Sequence, residues 1–131
     1  MVNLLFAYGT LMRGLPLHHL IARRAEFLAL GNVAGRLLDL GEYPGACPDR
    51  EGRIRGEVYR VQSADLLATL DSTEGPEFPR RLTPVRLDDG RKVRAWTYWF
   101  NGSVRREVPI PDGDYRRHAA VHLTGGASWP A

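Results

Sequence analysis

Three groups of side chains in this chain of 131 residues have types and spacings suited to chemistry. The first is a run of carboxylates, Asp71, Glu74 and Glu77, in Asp-Ser-Thr-Glu-Gly-Pro-Glu. They fall at the expected end of a helix, where the backbone dipole is negative and basic residues are the usual complement. Repulsion from the dipole and between the acids raises carboxyl pKa values, and a raised carboxyl can shuttle protons near neutral pH. A solvated acidic turn neutralised by Arg80 and Arg81 is the other reading of the same residues.

The second group is Tyr8-Gly9-Thr10-Leu11, directly after an apolar run. A glycine turn there lets successive backbone N–H groups face one concavity, a nest that can hold a carboxylate or an oxyanion. A β-branched side chain at Gly9 would crowd that nest. The same pattern also serves as a plain connection between elements. The third group is His18, His19, His118 and His122. On a helix His18 and His19 point in different directions. His118 and His122 could share a face and bind a metal. Neither an HExxH pattern nor a second cysteine beside Cys47 supports this, so no metal is expected and the histidines read as surface or packing residues.

The elements that must position these groups are short, because 14 Gly and nine Pro punctuate the chain. Leu4 to Tyr8 reads as a buried strand. Leu17 to Arg24 has helical spacing at Leu17, Leu20 and Ile21. Phe27 to Leu40 reads as one or two strands bent at glycines, residues 41–52 as a loop, and Ile54 to Val61 as a strand. Ser63 is the expected N-cap of a helix whose apolar face is Leu66, Leu67 and Leu70, with Asp65 in its first turn and Gly75-Pro76 as its stop. Leu82–Leu87 and Lys92–Phe100 flank a hairpin turn at Asp88-Asp89-Gly90. Residues 109–118 read as irregular. One domain is expected over residues 1–123, with a loose tail at 124–131. Five or six strands with two short helices predict an α+β protein, a small mixed β-barrel with flanking short helices.

Composition narrows the function classes. Hydrophobic residues make up 44% and charged residues 25%, the balance of a globular domain. No apolar run reaches the ~18 residues of a membrane span, and the N-terminus lacks a signal-peptide pattern, so no membrane partner and a cytoplasmic location are expected. The net charge of +3 comes from basic residues interleaved with acids, and Lys92 is the only lysine among them. A nucleic-acid surface built on Arg23, Arg24, Arg53, Arg55, Arg105 and Arg106 is the weakest reading, and no nucleic-acid partner is expected. No glycine-rich phosphate loop is present, so no nucleotide cofactor is implied.

Phe6-Ala7-Tyr8-Gly9-Thr10-Leu11-Met12-Arg13-Gly14 resembles the opening signature of the gamma-glutamylcyclotransferase-like superfamily, in its short AIG2-like, gamma-glutamylamine cyclotransferase-type branch. Gly35 to Pro44 resembles the second block of that family, Gly56 to Val61 its next strand, and Ala95 to Trp99 a later one. Leu70-Asp71-Ser72-Thr73-Glu74-Gly75, followed by Arg80-Arg81, resembles its catalytic block. The resemblance runs in order over roughly residues 3–118. Leu17 departs from a position that is often polar, and Glu77-Phe78-Pro79 from one where tyrosine is common.

The resemblance implies a barrel whose cavity binds a gamma-glutamyl substrate. The free α-amine attacks its own side-chain carbonyl, 5-oxoproline forms, and an amine or amino acid leaves, with no cofactor or metal. It assigns Glu74 as the catalytic proton shuttle and Tyr8, Gly9, Thr10 and Leu11 as the substrate loop. Tyr43 and Tyr98 are candidates to line the cavity. Glu77 is the alternative shuttle, out of register with the motif. Glu74 is expected at the barrel mouth with its pKa raised by burial and by the charges of Asp71 and Glu77. A non-catalytic small-molecule-binding protein of the same fold is the alternative function. The leaving group and the oligomeric state stay open.

Overall fold

The computed structural model describes residues 2–102 and 108–124. Five strands close into a barrel: β1 (Leu4–Ala7), β2 (Ala25–Ala34), β5 (Arg53–Val61), β6 (Arg80–Leu87) and β7 (Lys92–Tyr98), in the order β1-β5-β2-β6-β7. Neighbours run antiparallel, except that β1 meets β7 in parallel at Leu5 and Trp96 and so closes the ring. A second, three-stranded sheet has the order β4-β3-β8, from β3 (Arg36–Asp39), β4 (Pro44–Cys47) and β8 (Pro109–Ile110). Two helices flank the sheets, α1 (Leu66–Glu74) and α2 (Tyr115–Thr124). This is the α+β mixed barrel expected from the sequence.

Period-two patterning builds the barrel wall. In β6, Thr83, Val85 and Leu87 are buried while Pro84 and Arg86 are exposed. Leu5, Val33, Ile54 and Ala95 are wholly buried, and Leu66 and Leu70 of α1 pack onto the same core. The turn at residues 88–90 is a hairpin, with Gly90 at φ +92° and Leu87 N–H donating to Arg91 C=O at 2.8 Å.

Several local expectations are corrected. Residues 17–24 form only a 3-10 turn, His18–Leu20, in which the Leu20 and Ile21 N–H groups each donate three residues back, to Leu17 and His18 C=O at 3.0 Å. The expected loop at 41–52 contains β4, which pairs with β3 from Asp39↔Pro44 to Arg36↔Cys47. Asp65, not Ser63, occupies the N-cap of α1, and it makes no side-chain cap bond. Its carboxylate instead takes the Ser63 hydroxyl and pairs with Arg24 at 2.9 Å. Residues 109–118 are not irregular: they hold β8 and the start of α2. Asp114 Oδ1 accepts the Arg117 N–H at 3.1 Å, and Tyr115 and Ala119 bury one face of the helix. The segment 125–131 of the expected tail lies outside the described residues. No helix among the described residues is long and apolar enough to cross a membrane.

Candidate active site

A cavity of about 190 Å³ opens where the end of β1, the start of β4 and the end of α1 meet. Tyr8, Gly9, Thr10, Leu11, Tyr43, Glu74 and Tyr98 all line it, so the structure brings together every residue assigned from the sequence. Leu17 and Phe78, the two departures from the family pattern, line it as well. Phe6, Ala7, Pro44 and Thr73 complete the wall and were not singled out in the sequence. Each adjoins an assigned residue or shares its short segment, which was the available signal.

β1 delivers Tyr8 into the interior. Its hydroxyl donates to Tyr98 C=O at 2.6 Å and accepts the Ala46 N–H at 3.3 Å, tying the barrel to the smaller sheet. Burial, first of all, raises its pKa, so the phenol stays neutral and acts as a strut. Gly9 then passes close under Pro44: a Cβ there would stand 2.7 Å from Pro44 Cγ. Its φ is not positive, so glycine is required by the close approach and not by a left-handed backbone. A β-branched residue at Gly9 therefore strikes the Pro44 ring in the cavity wall.

The carbonyls of Gly9, Thr10 and Leu11 are engaged. Gly9 C=O accepts from Met12 N–H at 3.0 Å, Thr10 C=O from Leu17 N–H at 2.9 Å, and Leu11 C=O lies 2.9 Å from His18 Nδ1. The N–H groups of Gly9, Thr10 and Leu11 have no acceptor among the described residues. Successive backbone N–H groups without acceptors, in a loop that lines a cavity, are the raw material of an anion-binding nest.

α1 ends with Glu74, and Gly75, at φ +82°, turns the chain while its N–H caps Asp71 C=O at 3.1 Å. Glu74 is half-buried, and its carboxylate has no hydrogen bond or ion pair among the described residues. Burial alone pushes its pKa from 4.5 up to about 7. The expected contribution from neighbouring acids is corrected. Asp71 is neutralised by Arg80, whose Nε and Nη2 lie 2.9 and 3.2 Å from its oxygens, and by the Tyr98 hydroxyl at 2.8 Å. Those donors hold the Asp71 carboxyl below its ordinary value. Glu77 is exposed and does not line the cavity. The solvated-turn reading therefore holds for Asp71 with Arg80 as its partner, and not for Glu74.

The Asp71–Arg80 pair also fixes Tyr98. Its hydroxyl donates to Asp71 and reaches Leu67 C=O at 3.4 Å, and Arg80 lies 4.4 Å over the Trp96 ring. At the rim, Tyr43 is 42% exposed and meets Phe78 edge-on at 5.7 Å, while Phe78 meets Phe100 at 5.3 Å. The mouth is thus aromatic.

The remaining expectations lie elsewhere. His118 Nε2 is 2.7 Å from Asp39 Oδ2 and joins α2 to β3, while the His122 side chain lies outside the described residues. Of the arginines in the nucleic-acid reading, Arg24 pairs with Asp65 and Arg55 with Asp88, and Arg105 and Arg106 lie outside the described residues.

A half-buried carboxyl and a loop with three backbone N–H groups lacking acceptors among the described residues thus line one small cavity. The family model described as gamma-glutamyl cyclotransferase, AIG2-like matches residues 5–117, and the chain belongs to that family. It is 33% identical over 114 residues to the gamma-glutamylcyclotransferase family protein YtfP of Escherichia coli, covering 85% of this chain and 94% of that one. It is 29% identical over 129 residues to a gamma-L-glutamyl-butirosin B gamma-glutamyl cyclotransferase of Niallia circulans, covering 92% and 80%. Among solved structures it is similar to an AIG2-like protein of Mus musculus, with a TM-score of 0.68, 25% identity and coverage of 79% and 80%.

Proposed function

We propose that the protein is a gamma-glutamyl cyclotransferase that closes a gamma-glutamyl group to 5-oxoproline and releases an amine or amino acid. The observation that carries this reading is Glu74, a half-buried carboxyl without a counter-charge among the described residues, raised to about 7, on the wall of the same cavity as the 9–11 loop. A carboxyl poised near neutral pH can both take a proton and return it.

In this mechanism the N–H groups of Gly9, Thr10 and Leu11 hold the α-carboxylate of the glutamyl unit. Glu74, as carboxylate, takes a proton from the α-ammonium. The freed nitrogen attacks the γ-carbonyl carbon, and a tetrahedral centre forms as the carbonyl π electrons move to oxygen. Glu74 returns that proton to the leaving nitrogen, the carbonyl re-forms as the old C–N bond breaks, and the ring nitrogen gives up its second proton through Glu74 to the released amine, which departs as an ammonium and leaves Glu74 a carboxylate again. Protons balance over the cycle and no water is consumed. Tyr8 and Tyr98 keep the wall rigid, and a rigid wall that folds amine onto carbonyl contributes to the rate through proximity. The aromatic rim of Tyr43 and Phe78 receives the leaving group.

The test is incubation with a panel of gamma-glutamyl amino acids, peptides and amines, with 5-oxoproline read by mass. Formation of 5-oxoproline from at least one class is expected. Saturable binding without product across the panel would replace this reading with the non-catalytic one.

A further inference from the structure

Glu57 is a second acid withdrawn from water, and the proposed mechanism makes no use of it. It lies in β5, 1% exposed. On the backbone it stands opposite Ala7, the last residue of β1 and the residue before the cavity loop begins. Its carboxylate then meets the chain again where that loop ends: Oε1 accepts the backbone N–H of Arg13 at 2.8 Å, and Oε2 lies 3.3 Å from Arg13 Nε. One residue thus holds both the entry and the exit of the segment that carries Tyr8 to Leu11.

The carboxylate itself is held by two further donors. Tyr59 OH donates to Oε1 at 2.7 Å, and Arg116 Nη2 of α2 to Oε2 at 3.0 Å. A buried carboxylate is costly unless its oxygens are paired, and here each oxygen has two donors. Burial would raise its pKa, but the Arg13 N–H, the Tyr59 hydroxyl and Arg116 outweigh it and the pKa falls below its ordinary value. The charge is therefore constant over the range in which Glu74 titrates. The tether is closed from the other side by Tyr59, whose ring lies 5.9 Å from that of His18, the partner of Leu11 C=O.

We propose that Glu57 is a positioning residue for substrate binding: by clamping Ala7 and the Arg13 N–H it fixes the curvature of the loop that presents the Gly9, Thr10 and Leu11 donors. Its effect on KM rests on the cyclotransferase reading. Its effect on the loop does not. Glu57 does not line the cavity and its carboxylate bonds are to Arg13, Tyr59 and Arg116, so its loss weakens substrate binding and leaves the proton shuttle in place.

The experiment compares Glu57→Gln with Val33→Ala, which destabilises the fully buried core away from the cavity. Both are assayed at a temperature where circular dichroism shows them folded. Glu57→Gln is expected to raise KM at least tenfold, to change kcat less than threefold, and to leave the pH midpoint of the rate near that of the wild type. Val33→Ala is expected to leave KM unchanged. Amide hydrogen exchange gives a second readout: in the wild type the Arg13 amide exchanges at least tenfold more slowly than those of Thr10 and Leu11, and it loses that protection in Glu57→Gln. An unchanged KM in Glu57→Gln, or an equal rise in Val33→Ala, overturns the proposal. So does wild-type exchange at Arg13 as fast as at Thr10, which also decides the matter if Glu57→Gln does not fold. Absence of 5-oxoproline from the wild type would sink the cyclotransferase reading alone, since the exchange of Arg13 still tests the clamp.

Discussion

Two acids of this barrel leave water in opposite ways. Glu57 lies among two guanidiniums, a tyrosine hydroxyl and a backbone N–H, and stays ionised. Glu74 faces a cavity walled by aromatic and aliphatic side chains, without a partner among the described residues, and its pKa rises to about 7. Burial pushes both carboxyls the same way, so burial does not separate them. The donors do: a carboxylate with four is a fixed anion that organises backbone, and one with none is a proton carrier waiting for a cation. The ammonium of the proposed substrate is that cation.

The difference breaks most visibly in rate. Glu74→Gln keeps the shape and removes the proton exchange, so turnover is expected to fall at least ~100-fold, whereas Glu77→Gln, outside the cavity, should stay within about twofold. Steady-state kinetics on any cyclised substrate decides this. A dead Glu77→Gln beside an active Glu74→Gln would exchange their roles. At Glu57 the large effect is on stability: Glu57→Ala leaves the Arg13 N–H and the buried Tyr59 hydroxyl without their acceptor, while the half-exposed Arg13 and Arg116 side chains return to water, and a loss of about 1–3 kcal/mol is expected in urea denaturation.

Stability against pH sharpens the same contrast. The folded state binds a proton at Glu74 more tightly than the unfolded chain does, so between about 4.5 and about 7 stability falls as pH rises. Glu74→Gln should therefore match the wild type near pH 4 and exceed it near pH 8, by about 1–3 kcal/mol once the water left to a half-buried side chain is allowed for. Asp71 gives the smallest effect. Its pKa is depressed, so its contribution is present above its ordinary value and is lost as pH falls through the folded one. Asp71→Asn should cost about 1 kcal/mol, as partly exposed ion pairs do, and lower kcat/KM less than tenfold through the Tyr98 hydroxyl.

What could be read from the chain alone follows from which interactions are local. β1, β5, the β6–β7 hairpin and the apolar face of α1 carry their own periodicity and turn residues, and ordered motifs brought Glu74 and the 8–11 loop into one site. β4 could not be read: Pro44-Gly45-Ala46-Cys47 has no alternating pattern, and its strand exists because β3 pairs with it. α2 did leave a signal, in Asp114 as cap and the Tyr115–Ala119 spacing, which the preceding Pro111 and Gly113 obscured. Glu57 was hidden for a different reason. A charged residue in a strand reads as solvent-facing, and only the convergence of Arg13 and Arg116, 44 and 59 residues away in the chain, covers it. The pKa of Glu74 was read in the right direction with one cause too many, since Arg80 had already neutralised Asp71.

The central claim is that Glu74 exchanges its proton near neutral pH because it is half-buried without a partner among the described residues. The direct measurement is an NMR titration of side-chain carboxyl carbons in the free protein, with Glu74 assigned by its disappearance in Glu74→Gln. The account requires a Glu74 midpoint near 7, moving downward when a non-reactive gamma-glutamyl analogue bearing the α-ammonium is bound. A midpoint near 4.5 that does not respond to the analogue would contradict it.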